Sequence, residues 1–339
     1  MGHATAWPCG TITVVSASVS LIIPTWNGAP WIDDCLATAL EHAPADTEII
    51  VVDDVSTDDT VERVSRFVAD GRVRLIVAPE NRGFARTVNR GLAAAHGDVL
   101  VMLNQDTRST QDWLTPLLSV MAADPRIGIV GCRLLYPDGR VQHAGGRIDA
   151  RGAGSHDLVD PPLDGLGVAD VDFVTGAALA IRRDCLNEIG TLDESFGRGY
   201  YEDVDLCFRA RRAGYRVVYC PAAELIHAEA SLSASANIEG MARFQSNRLR
   251  FVIKHFDPAT IQAGFHTGER AWLNGLGVES SAFVAAHHRS YVRSLLDLDD
   301  LVRSRMSNGE DDPRPTVQRV LIDRRGLVPL GATAELHRT

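Results

Sequence analysis

Apolar residues run in short unbroken blocks through the first half of the chain, and each block is followed by a polar cluster and then a helical stretch. Val19–Pro24, Glu48–Asp53, Val73–Ala78, Asp98–Leu103 and Ile127–Cys132 read as strands, with Ile49, Ile50, Val51 and Val52 apolar in succession. Such runs fit strands covered on both faces by helices, because neither side of the pleat then meets water. Between them lie four helical segments: Pro30–His42, a stretch N-capped by Asp58 or Asp59 that runs to about Ala69, Phe84–His96, and Gln111–Ala123. The alternation predicts an α/β fold with a Rossmann-like, mostly parallel, doubly wound central sheet flanked by helices.

The pattern changes after the turn signal Tyr136-Pro137-Asp138-Gly139. Ala150–Gly167 is rich in Gly, Asp and Pro and reads as a long loop, a kind of segment that is often functional. Asp172–Arg182 resumes as extended chain. Glu202–Ala213 reads as a helix stopped by Gly214, and Arg216–Cys220 as a further strand. Beyond Ile238 the chain reads as helical, including Met241–His255 with its cations Arg243, Arg248, Arg250 and Lys254. Ser307–Pro315 reads as a linker and Val317–Thr339 as a short strand and tail. Met1–Ser18 is an irregular lead-in with a short strand at Thr11–Val15.

Bulk composition narrows the class. The chain has 339 residues, 45% hydrophobic and 23% charged, as expected of a soluble globular protein with a sizeable core. Its net charge of −10 supplies no overall basic field to recruit nucleic acid. The six cysteines are scattered and form no C-x-x-C pair, which suits reduced thiols in a cytoplasm better than a disulfide framework or a zinc site. No apolar stretch approaches the roughly 18 to 20 residues of a membrane span, and the N-terminus lacks a signal-peptide pattern.

Four polar clusters fall at strand ends. They are Pro24-Thr25-Trp26-Asn27, then Asp53-Asp54-Val55-Ser56 and its continuation to Thr60, then Asn81-Arg82-Gly83-Phe84-Ala85 leading to Asn89, and Asn104-Gln105-Asp106. In a parallel sheet the C-terminal strand ends share one edge, so the clusters converge on one crevice. Each alone reads equally as a turn or helix cap. Together they read as a nucleotide site. Asp53 or Asp54 can accept from a pyrimidine N–H or a ribose hydroxyl, and Gly83 lets backbone approach the ligand. No G-x-G-x-x-G follows the first strand and no G-x-x-x-x-G-K-[ST] occurs, which disfavours dehydrogenase and P-loop chemistry.

The chain resembles family 2 glycosyltransferases, most closely their rhamnosyltransferase-like branch. The resemblance rests on Asp53-Asp54-x-Ser56-x-Asp58-x-Thr60, Asn81-x-Gly83-Phe84-Ala85-x-x-x-Asn89-x-Gly91 and Leu103-Asn104-Gln105-Asp106. It continues through Thr175-Gly176-Ala177, Gly190-x-Leu192-Asp193-Glu194-x-Phe196 and Tyr201-Glu202-Asp203-Val204-Asp205-Leu206-Cys207-x-Arg209, covering about Ser18 to Phe256. It implies a GT-A fold, a nucleotide-diphospho-sugar donor and inverting transfer to an acceptor hydroxyl. On this likeness residues 19–134 form the donor-binding half and 135–237 the acceptor and catalytic half of one domain. Residues 238–306 form a helical extension, with the lead-in 1–18 and the linker and tail 307–339 outside them.

The likeness also assigns roles. Asn104-Gln105-Asp106 stands where the family keeps an Asp-x-Asp metal motif, so Asp106 is the direct ligand expected for Mn2+ or Mg2+. Asn104 and Gln105 become donor neighbours. His227 matches a late metal-binding histidine of GT-A enzymes. The catalytic base lies in the pair Glu202-Asp203, with Asp203 preferred, Glu202 holding the acceptor or sharing the proton, and Asp205 structural. Thr175 and Gly176 line the sugar or acceptor face. The donor is a dTDP-rhamnose-like or UDP-hexose compound, and the acceptor a glycan, a lipid-linked glycan or a small molecule.

Two rival functions stand beside this one: a nucleotidyltransferase, and a non-catalytic nucleotide-sugar-binding protein. The first needs a basic activating loop, and Pro24–Pro30 contains no Lys or Arg. The cations of Met241–His255 read first as a solvated helix face. A surface for an anionic acceptor, peripheral contact with the inner face of a membrane, and a homodimer face are the other readings.

Overall fold

The computed structural model describes residues 17–229, 238–265, 267–269, 271 and 290. The expected strand at Thr11–Val15, the linker and the tail lie outside the described residues. The elements follow in order as β1 (Val19–Thr25), α1 (Ile32–His42), β2 (Glu48–Asp53), α2 (Thr60–Phe67), β3 (Val73–Val77), α3 (Phe84–Ala94), β4 (Val99–Leu103) and β5 (Thr107–Arg108). Next come α4 (Leu114–Ala123), β6 (Ile127–Leu135), β7 (Val141–His143), β8 (Gly146–Ile148), β9 (Gly154–His156), β10 (Ala169–Asp170), β11 (Ala178–Arg182) and α5 (Arg183–Ile189). The last described elements are α6 (Glu202–Arg212), β12 (Arg216–His227) and α7 (Ile238–His255), with shorter helical turns after α7.

One central sheet runs in the order β10-β12-β6-β11-β4-β1-β2-β3, with β5 and β7 attached at β12 and β6. β1, β2, β3 and β4 pair in parallel, and β12 is parallel to β6. β11 runs antiparallel between β4 and β6. The expected parallel sheet is therefore present with one inverted central strand.

The unbroken apolar runs have a simple cause. Alternate residues of a strand point to opposite faces. Leu21, Ile23, Ile49 and Val51 pack on the side of α1, α2 and α4, where Leu36, Val64 and Trp113 are buried. Ile22, Ile50 and Val52 pack on the other side with Val88 and Leu92 of α3, and the same cluster includes Leu206 of α6 and Phe251 of α7. Both faces are dry, so both residue parities must be apolar. Gly91 lets α3 lie close on β1, because a Cβ there would collide with Ile22.

α7 is not the solvated face that its charges suggested. Arg248 is buried, with its guanidinium 2.5 and 3.0 Å from the Glu269 carboxylate. Lys254 reaches Asp193 and Asp205, each at 2.7 Å. Asp205, fully buried in α6, also takes His255 at 2.7 Å and Arg209 at 2.8 Å. Burial works against ionisation of Asp205, but the His255 hydrogen bond and the Arg209 and Lys254 charges outweigh it and hold the carboxyl well below its usual range. Asp205 thus ties α6 to α7, the structural role expected of it. Asp205→Asn leaves buried cations without their counter-charge and should cost about 3–5 kcal/mol. A urea unfolding series measures this, and a loss below about 1 kcal/mol would deny the tie its importance.

Candidate active site

The parallel strands deliver their C-terminal ends to one edge, and two adjoining cavities open there. The smaller, of about 210 Å3, is lined by Pro24, Thr25, Asp54, Asn81, Gly83 and Asp106 among others. The larger, of about 570 Å3, is lined by Thr175, Gly176, Glu202, Asp203, His156 and His227 among others. Phe84, Asn104 and Arg198 line both, so they mark where the two spaces meet.

Several residues named from the sequence frame the crevice and line neither cavity. Asp53 accepts from the Ser56 amide at 3.0 Å and from the Ser56 hydroxyl. Asn27, in the left-handed region at φ 48°, donates its amide to Ser56 Oγ at 2.9 Å, and its side-chain oxygen accepts from Thr57 N at 2.8 Å. Asn89 bridges to the Leu192 backbone in both directions, at 2.9 and 3.0 Å, and to Glu194. Asp54 does line the smaller cavity, yet each of its oxygens already accepts a backbone N–H, from Arg82 at 3.0 Å and Gly83 at 2.8 Å. It therefore sits at the N-terminus of α3, where negative charge is favoured. Asn81 donates to the Asp54 carbonyl at 2.9 Å. Gly83 is required twice over: its φ is +88°, and a Cβ would lie 2.9 Å from Arg198 Cα.

The opposite wall is built by the end of β4 and the Asn104-Gln105-Asp106 triplet. The Asn104 amide donates to the Ala177 carbonyl at 2.9 Å, which lays Thr175-Gly176-Ala177 alongside the triplet. Gln105 turns back to β1, its Oε1 accepting from the Thr25 hydroxyl and from Trp26 N at 3.1 Å, and its Nε2 donating to Trp26 O. Two residues on, Thr107 of β5 pairs with His227 of β12, and Ala228 N donates to the Asp106 carbonyl at 3.0 Å. This ladder fixes Asp106 Oδ1 at 3.2 Å from His227 Nε2, both side chains being buried.

Gln142 decides the state of that histidine. Its Nε2 faces the Glu229 carboxylate at 3.2 Å, so its Oε1 faces His227 Nδ1, at 2.7 Å, and Nδ1 must donate. In the neutral tautomer Nε2 then carries a lone pair, which lies 3.2 Å from Asp106 Oδ1 and 3.5 Å from the donor Asn104 Nδ2. In that tautomer the imidazole lone pair and the Asp106 carboxylate face one another, a pair that could hold a cation. Carboxylate oxygen with neutral imidazole is a donor set that Mn2+ takes readily. No group of three or more His, Cys, Asp or Glu side chains is placed to hold a metal among the described residues. With only these two side chains as ligands, most of the coordination shell of a bound metal would come from other oxygens, such as those of phosphates.

Across the larger cavity, Asp203 Oδ2 accepts from Gly176 N and Oδ1 from Val204 N, both at 2.8 Å. Burial raises the Asp203 carboxyl above its ordinary value against the pull of these amides. Glu202 is buried, its Oε2 has no hydrogen-bond partner, and burial together with the Asp203 charge raises its pKa as well. Tyr200 and Tyr201, immediately before the pair, both adopt left-handed backbone at φ 76° and 74°. Strain of this kind gathers at functional sites.

Sequence reasoning missed Gln142, Arg198, and the histidine pair His143 and His156. The two Nδ1 atoms of that pair lie 2.9 Å apart and so share one proton, and both rings pack on Phe173. Burial is the main cause lowering both pKa values, so the pair is neutral. Nothing at the level of sequence links single histidines on separate strands. Gln142 could have been found only through its alternation with His143 on β7.

The raised Glu202 pKa has a stability consequence. Folding favours its protonated form, so its contribution is intact below the ordinary carboxyl range and is lost as pH rises through the folded value. Glu202→Gln removes that loss. The melting-temperature gain of the variant over wild type should widen from about pH 5 to about pH 9. A gain that stays constant or shrinks across a calorimetric pH series would contradict the burial of an ionisable Glu202.

The sequence model described as glycosyl transferase family 2 matches residues 20–189. An uncharacterised protein of Sinorhizobium fredii is 33% identical over 239 residues, 67% of this chain. The chain spans about a quarter (26%) of that relative's length. The N-acetylglucosaminyl-diphospho-decaprenol L-rhamnosyltransferase of Mycobacterium tuberculosis is 27% identical over 237 residues, covering 62% of this chain and 76% of that enzyme. Among solved structures, GalNAc-T7 with UDP, GalNAc and Mn2+ superposes with a TM-score of 0.62 at 16% identity, over 84% of this chain and 57% of that one, which shows a shared fold. With a GT-A sheet, a strand-end crevice and a match across half its length, this chain belongs to glycosyl transferase family 2.

Proposed function

We propose that the protein is an inverting glycosyltransferase that moves a sugar from a nucleotide-diphospho-sugar to an acceptor hydroxyl in a single displacement. The observation that carries this reading is the placement of a half-buried carboxylate of raised pKa, Asp203, in a cavity that adjoins the Asp106–His227 pair. The smaller cavity takes the nucleotide, and the larger takes the transferred sugar and the acceptor. Asp203 accepts the proton of the acceptor hydroxyl as its oxygen attacks the anomeric carbon. The Gly176 and Val204 amides hold the carboxylate in position for this, and its raised pKa makes it a stronger base than an exposed aspartate. Glu202, protonated more readily than a surface carboxyl, holds the acceptor or shares the proton. No side-chain nucleophile is required.

A divalent cation, Mn2+ or Mg2+, would be held by Asp106 and by the lone pair of His227 Nε2. Bound there, it supplies Lewis-acid stabilisation of the departing diphosphate. The likeness to a rhamnosyltransferase supports a dTDP-rhamnose-like donor, and the fold shared with a UDP-bound enzyme keeps a UDP-hexose open. A glycan, a lipid-linked glycan or a small molecule serves as acceptor. No helix of the described residues is long and apolar enough to cross a membrane. Peripheral contact with the inner face of a membrane from the cytoplasm, and a homodimer, belong to the same proposal.

Two outcomes are expected. Asp203→Asn should lower the transfer rate by about 10²- to 10⁴-fold while donor affinity, read by calorimetry, stays near wild type. Transfer at the wild-type rate would remove Asp203 from the base role. Removing divalent metal with EDTA should abolish transfer, and Mn2+ or Mg2+ should restore it. Gln142→Leu, which frees the His227 ring, should raise the metal concentration needed by about 10- to 100-fold. Full activity after exhaustive chelation would exclude the metal.

A further inference from the structure

The catalytic scheme leaves two arginines unused in the donor cavity. Arg198, on the loop between Gly197 and Gly199, and Arg243, on α7, line the same space as Asp106. Neither has an ion-pair or hydrogen-bond partner for its side chain among the described residues. The other cations of α7 differ: Arg248 is held by Glu269 and Lys254 by Asp193 and Asp205, while Arg250 also has a partner. Arg243 therefore stands apart within its own helix.

The backbone that carries both arginines is tied down by hydrogen bonds. Asn247 Nδ2 lies 2.8, 2.9 and 3.0 Å from the carbonyl oxygens of Phe196, Gly199 and Tyr200, binding the Arg198 loop to α7. Gly83 closes on the same loop from the start of α3. Arg243 lies four residues before Asn247, one turn away on the same helix face. The fold thus places two arginines in the lining of one cavity with no carboxylate partner among the described residues.

The charge balance of the cavity gives them a purpose. Asn104 stands where a second carboxylate would strengthen metal binding, so Asp106 alone supplies anionic charge from the triplet. Guanidinium is permanently charged and matches phosphate oxygens in paired hydrogen bonds. We propose that Arg198 and Arg243 clamp the diphosphate of the donor and share with the metal the charge released there. This rests on the nucleotide-sugar reading above. In the step itself, the bond from the anomeric carbon to the terminal phosphate oxygen breaks and its electron pair stays on that oxygen, beside the two arginines. The bond to the acceptor oxygen forms, and the acceptor proton passes to Asp203. Asn247 is a positioning residue for the clamp.

The test compares binding of UDP and UMP to the full chain by calorimetry, with Mn2+ and again with EDTA, and includes dTDP and GDP as alternative bases. In wild type the diphosphate should bind more tightly than the monophosphate. Arg243→Ala should weaken the diphosphate by about 10- to 100-fold, in EDTA as well as in Mn2+, with the monophosphate changed much less. Arg198→Ala should act in the same direction, and Arg243→Lys should recover part of the loss. Unchanged diphosphate affinity in both alanine variants would overturn the clamp alone. So would equal losses for diphosphate and monophosphate, which would mark a general effect on the site. Wild-type protein that binds none of UDP, dTDP and GDP would instead remove the nucleotide-sugar reading, and the clamp with it.

Discussion

A two-residue ladder is the constraint on which the candidate site depends. Thr107 and Arg108 pair antiparallel with His227 and Ile226, and Ala228 donates to the carbonyl of Asp106. These bonds join the end of a central strand to the end of a strand more than a hundred residues later. Without them the Asp106 carboxylate and the His227 imidazole would sit on separate loops. With them the two side chains face each other at 3.2 Å at the mouth of the sheet. The register break in β12 between Cys220 and Glu224 lets that strand continue along β6 as far as His227.

Polar residues around this point divide by whether their hydrogen bonds are already spent. Asp53, Asn27, Ser56 and Asn89 are committed to other parts of the protein, and they shape the crevice. Glu202 differs, its buried Oε2 having no hydrogen-bond partner, and it lines the larger cavity beside Asp203 and His227. Buried polar groups are ordinarily satisfied, so those left incomplete are where ligand chemistry is to be sought. Arg198 and Arg243 of the smaller cavity, which have no side-chain partner among the described residues, likewise differ from the paired cations deeper in α7.

Much of the fold was legible in the sequence because the sheet is covered on both sides. Apolar runs such as Ile49–Val52 admit few other readings. The short elements were not legible: β5, β7, β8 and β9 are two or three residues long and leave no periodic pattern. α5 was read past because Asp172–Arg182 suggested extended chain up to its start. β12 seemed to stop at Cys220, since Pro221 offers no N–H, yet a bulge absorbs it and pairing resumes. For the site, residue types at strand ends were visible but their commitments were not. Asp53 and Asn89 look as available as Asp106 in a string of letters. The cations of α7 misled for the same reason, because charge alone does not tell a solvated arginine from one buried against Glu269.

The central claim is that the protein supplies two metal ligands and the nucleotide diphosphate supplies much of the rest. Mn2+ binding followed by electron paramagnetic resonance, with and without UDP or dTDP, tests this most directly. The geometry of Asp106 and His227 predicts weak Mn2+ binding by the protein alone and a rise of at least about tenfold in affinity when the diphosphate is present. Mn2+ affinity that is the same with and without nucleotide would contradict it.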